Sequence, residues 1–122
     1  MKYVTETGLD YTALFAGAQE NIVTDVVTIK SGEGVVPEGA LLERGAGGYT
    51  WAATATSTDV RAVLLKEVDA TSADAQGYVA FTGEFVLDRV SCKGKAAPEQ
   101  ALIDAVADRN IYFRKMNKSK EV

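Results

Sequence analysis

Ala40-Leu41-Leu42-Glu43-Arg44-Gly45-Ala46-Gly47-Gly48-Tyr49-Thr50-Trp51-Ala52 is the stretch that decides the fold class. Two short runs that mix apolar and polar residues flank a cluster of glycines. Glycine tolerates positive φ, so the chain can reverse there, and the flanking runs read as the two strands of a hairpin. Two turn clusters lie upstream. In Val36-Pro37-Glu38-Gly39, Pro37 presets φ at the second turn position and Gly39 closes the turn; Ser31-Gly32-Glu33-Gly34 is the other. Residues 23–29, Val-Thr-Asp-Val-Val-Thr-Ile, are rich in β-branched side chains and predict a first strand.

Downstream, residues 53–59 are small and polar and read as a surface connection. Val60-Arg61-Ala62-Val63-Leu64-Leu65 is nearly continuous in apolar residues, as expected of a strand covered on both faces; one turn of buried helix is the alternative. Residues 67–77 carry Asp69, Thr71, Ser72, Asp74 and Gly77 and predict a loop. Residues 78–87 form the longest predicted strand, with Val79, Phe81 and Phe85 on one parity. Gly83 within it marks a bulge or a close backbone approach. Residues 97–108 predict one helix, with Pro98 at its first position, a stripe of Leu102, Val106, Ile103 and Ala107 toward the core, and Asn110 as a left-handed terminator. Ile111-Tyr112-Phe113 predicts a last short strand. The fold class is mainly β with one C-terminal helix, in a single small domain.

Composition narrows the function. At 122 residues, 47% hydrophobic and 25% charged, the chain has the balance of one globular domain with one core. A net charge of −4 argues against a protein that neutralises phosphates, so no direct nucleic-acid partner is expected. The Lys/Arg residues Arg109, Arg114, Lys115, Lys118 and Lys120 around Tyr112 and Phe113 read as a solvated chain end. No run approaches the ~18 apolar residues of a membrane helix, and residues 1–6 lack the apolar centre of a signal peptide, so the expectation is a protein made and kept inside a cell, with no membrane partner.

Catalytic chemistry is poorly served. The chain has no histidine and one cysteine, Cys92, which removes the commonest general base and the ligand sets of structural zinc. Lys93 and Lys95 beside Cys92 would lower a thiol's pKa, but without a positioned base the cysteine reads as incidental. Asp69 and Asp74 lack the ligand alternation of a calcium loop, and the glycines at 45, 47 and 48 are followed by no Gly-Lys-Ser/Thr, so they read as hairpin glycines. No catalytic residue, cofactor or metal is expected. Tyr49 and Trp51 fit a core pair, or, if exposed, a stacking platform for a sugar in a glycan-recognising module.

Residues 1–20 keep neither strand nor helix period for long, yet carry Tyr3, Leu9, Tyr11, Leu14 and Phe15, which seek burial on something. They read as an arm, with a frayed terminus as the plainer alternative. Domain limits follow as 1–21 for the arm, 22–115 for the β domain and 116–122 for a solvated tail.

The ordered pieces Val27-Thr28-Ile29-Lys30-Ser31-Gly32, Pro37-Glu38-Gly39-Ala40-Leu41-Leu42, Gly48-Tyr49, Ala62-Val63-Leu64-Leu65-Lys66-Glu67-Val68-Asp69-Ala70-Thr71, Gly83-Glu84-Phe85 and Asp108-Arg109-Asn110-Ile111-Tyr112-Phe113 resemble the head decoration protein family of lambdoid phages. The resemblance covers roughly residues 23–113, and Val68-Asp69-Ala70-Thr71 is its most telling piece. It implies a β-tulip domain, made in the host bacterial cytoplasm, that binds the exterior of an expanded capsid as a homotrimer and stabilises it. It also implies that the partner is the major capsid protein of a tailed phage, contacted by an N-terminal arm whose candidate residues are Tyr11, Leu14, Phe15 and Ile22.

Overall fold

A computed structural model describes residues 22–115, and within them the chain is mainly β with one helix. Nine strands follow in order: β1 (Thr24–Ile29), β2 (Gly34–Val36), β3 (Leu41–Gly45), β4 (Gly48–Trp51), β5 (Val60–Leu64), β6 (Val68–Ala70), β7 (Ala75–Ala80), β8 (Gly83–Val86) and β9 (Ile111–Arg114). The helix α1 spans Gln100–Ala107. Five strands close a barrel in the order β1-β4-β3-β5-β7, while β2 pairs with β6 and β8 with β9 in two small two-stranded sheets.

The predicted hairpin is the β3–β4 ladder, with Gly45 opposite Gly48 and Leu42 opposite Trp51. Gly47, at φ 84, supplies the left-handed residue that the two-residue loop needs. β5 is covered on both faces, as its unbroken apolar run implied. Ala62 and Leu64 join the cluster that fills the barrel with Ile29, Leu42, Trp51 and Val79. Val60, Val63 and Leu65 join the layer that α1, β8 and β9 press against the barrel wall, with Leu41, Phe85, Leu102, Val106 and Ile111. The barrel is narrow enough that Gly77 admits no Cβ: one would lie 2.9 Å from Ile29 Cγ1 and 3.0 Å from Leu64 Cδ1.

Three expectations are corrected. The predicted strand 78–87 is two strands in different sheets. The Phe81 amide makes a last bond to the Val23 carbonyl at 2.7 Å, and the Gly83 amide then bonds the Asn110 carbonyl at 3.0 Å, so the chain leaves the barrel at Thr82. Gly83 therefore marks a change of sheet, at φ 146, and no bulge inside one strand. The predicted loop 67–77 contains β6 and the start of β7. β6 exists because β2 pairs with all three of its residues, Gly34 with Ala70, Val35 with Asp69 and Val36 with Val68. The helix begins at Gln100, two residues beyond Pro98, because Glu99 is held extended (φ −96, ψ 171) with its amide bonded to the Ala55 carbonyl at 2.8 Å. Leu102 and Val106 are its fully buried residues, with Ile103 and Ala107 half-buried at the margins. Asn110 ends the turn after the helix at φ 64, as expected.

Candidate functional site

Of the four candidate arm residues, Tyr11, Leu14 and Phe15 lie outside the described residues, as does the tail 116–122. Ile22 lies inside them. It is half-buried against the apolar layer that holds Phe85 and Ile111. The next residue is pinned through both backbone groups: the Val23 carbonyl accepts from the Phe81 amide, and the Val23 amide donates to Thr82 Oγ1 at 3.1 Å. From there β1 runs antiparallel to β7 without a break, from Thr24 opposite Ala80 to Ile29 opposite Ala75. Segment 1–21 thus joins the body at a fixed point, where the chain between β7 and β8 changes sheets. Thr82, which accepts from the Val23 amide, is an anchoring residue that sequence reasoning missed. Its signal was present in Gly83, which marked the break without showing which segment fills it.

Apolar surface and open backbone are both available around this anchor. Val23 is 55% exposed and Val26 53%, so the root of β1 leaves two valines uncovered. Across the two-stranded sheet, β9 pairs only with β8 among the described strands, and Tyr112 on it is 41% exposed. An open strand edge offers a row of backbone donors and acceptors to an added strand.

The other residues singled out in the sequence are in structural use. Trp51 is buried and donates from Nε1 to the Ser91 carbonyl at 3.0 Å, while Tyr49 packs against Phe81 with ring centroids 6.5 Å apart. The exposed aromatic pair that a sugar platform requires is not there. Asp69 Oδ1 accepts from the Thr71 amide at 3.0 Å and hydroxyl at 2.6 Å, and these bonds hold its carboxyl below the ordinary range. Asp74 Oδ1 accepts from the Ser31 amide at 2.8 Å, capping the turn after β1. Among the described residues no group of three His, Cys, Asp or Glu side chains converges on a point.

Cys92 is fully buried, and burial pushes its thiol up, with the Glu43 carboxylate adding to the effect. A neutral, enclosed thiol is a core atom. The sign for stability follows directly. Above about pH 9.0 the unfolded thiol releases its proton while the folded one keeps it, so folding loses stability as pH rises past that point. The native chain is expected to resist a thiol reagent that labels it fully in denaturant. The extra alkaline decline in unfolding free energy should vanish in Cys92→Ala; rapid native labelling, or an unchanged decline in the variant, would contradict this placement.

No curated protein matches the chain. A family model described as bacteriophage lambda head decoration protein D matches residues 3–109, which takes in the β domain through α1, short of β9, and nearly all of the segment rooted at Ile22. By that match across most of its length, the chain belongs to the bacteriophage lambda head decoration protein D family, with a capsid decoration role on the virion.

Proposed function

We propose that this chain is made in the host bacterial cytoplasm, binds the outer surface of an expanded phage head as trimers, and clamps the shell against the pressure of packaged DNA. Segment 1–21 is the contact. In this reading it adds to the major capsid protein as a strand, with main-chain bonds giving affinity and Tyr11, Leu14 and Phe15 giving specificity, while Ile22 holds its root to the domain. The observation that carries the reading is the family match over residues 3–109. The two-sided backbone anchor at Val23 supports it, because a segment that must transmit a binding force needs a fixed root.

The clamp works by linkage: a ligand that binds only the closed, expanded shell stabilises that state, by about 2.7 kcal/mol per site at a concentration one hundred times Kd. Ordering an arm weakens each contact, and repeated copies on one particle offset this through effective concentration. The burial of Trp51 leaves the glycan-binding alternative without its distinguishing feature.

Co-sedimentation with expanded, undecorated heads tests the proposal. The full chain is expected to saturate the shell, and a chain lacking residues 1–20 is expected to stay in the supernatant while melting at the same temperature. Undiminished binding of the truncated chain would move the contact to the β domain; no binding of the full chain would remove the proposal.

A further inference from the structure

Arg44, Gly45 and Arg61 line an open depression of about 390 Å³. Both arginines are exposed, and neither forms an ion pair or hydrogen bond with any described residue. In a chain of net charge −4, the described lining of this depression holds two arginines and no acidic residue.

The placement follows from a defect in the barrel ladder. Between β3 and β5 the register runs Leu42 opposite Ala62 and then Glu43 opposite Val60, so Arg61 is an extra residue with no partner across the strands. A bulge of this kind re-aims the side chain it carries. Here it lets Val60 and Ala62 enter different apolar clusters while Arg61 stands out between them. On the facing strand, Arg44 follows Glu43, whose carboxylate accepts from the Ser57 hydroxyl. Alternation along β3 puts Glu43 and Arg44 on opposite faces, so the nearest acidic side chain in that strand is turned away and occupied.

Two guanidinium groups on rigid strands line one open space, and no described acidic side chain lines it or forms an ion pair with either of them. Each presents planar donors suited to paired oxygen atoms, and together they match two negative charges. We propose that Arg44 and Arg61 form a binding site for a doubly charged oxyanion of the phosphate class, distinct from the shell contact assigned to segment 1–21.

Calorimetric titration of the full chain with inorganic phosphate, at fixed ionic strength, tests this, with a simple alkyl phosphate and acetate as parallel arms. Phosphate is expected to saturate with millimolar affinity, and Arg44→Gln or Arg61→Gln to weaken it about tenfold or more. Arg61→Lys, which keeps the charge and loses the planar fork, should also weaken it, while Lys66→Gln leaves it unchanged. Unaltered thermal melts of these surface variants separate loss of the site from loss of the fold. Tighter binding of the ester would mean that the natural occupant carries its phosphate on a larger molecule, and equal or weaker binding would mean the free ion. Acetate binding as tightly as phosphate, no saturation, or equal binding by all the variants would overturn the site.

Discussion

Gly39→Ala is expected to lower the unfolding free energy by about 4 kcal/mol or more, enough to leave little folded protein. Gly39 sits at φ 86, and a methyl group on it would overlap the carbonyl of Arg89. The backbone has no freedom to retreat. The Gly39 amide donates to the Leu64 carbonyl at 2.7 Å, and its carbonyl accepts from the Ser91 amide at 3.1 Å, so the residue couples the end of β5 to the segment 89–91. Gly32→Ala is the control, because Gly32 has nearly the same φ, 92, with nothing within 4 Å of its absent Cβ. That variant should lose only the left-handed penalty, about 1–2 kcal/mol. Equal losses by denaturant titration would show that conformation alone, without the overlap, governs position 39.

Phe85→Ala is expected to cost about 3–5 kcal/mol, the range for emptying a fully buried aromatic site. Phe85 is 0% exposed and lies in the layer between the barrel wall and α1, with the Phe113 ring 6.4 Å away and tilted by 49°. A double-mutant cycle with Phe113→Ala should return a coupling of about 0.5–1.5 kcal/mol. Ile22 packs in the same layer, so the root of segment 1–21 should loosen with it. Faster amide exchange at Val23 in Phe85→Ala would register that loosening; an unchanged rate would mean that the two backbone bonds hold the root unaided.

What was legible in the sequence was what local chemistry dictates. The hairpin could be read because Gly47 and Gly48 supply the positive φ of its reversal, and β5 because an apolar run with no polar face demands cover on both sides. β2 and β6 could not be read in this way. Each has three residues set among turn formers, and each exists only through pairing with the other across more than thirty positions. The change of sheet at Thr82 was hidden for a similar reason, since it depends on hydrogen bonds to Val23 and Asn110, both distant in the chain. Pro98 misled about the helix start because the bond from Glu99 to Ala55 is tertiary. At the candidate site, the apolar character of segment 1–21 was visible at once, whereas its anchor was not.

The unbroken pairing of β1 with β7 also has a mechanical meaning. Force applied at Ile22 along the axis of β1 is shared by the register pairs from Thr24–Ala80 to Ile29–Ala75, which must all fail together. The same force turned across the strand peels them singly, beginning at Thr24. The chain therefore bears tension along β1 far better than tension across it, and its rate of forced unfolding, set by the barrier in the pulling direction, carries that anisotropy.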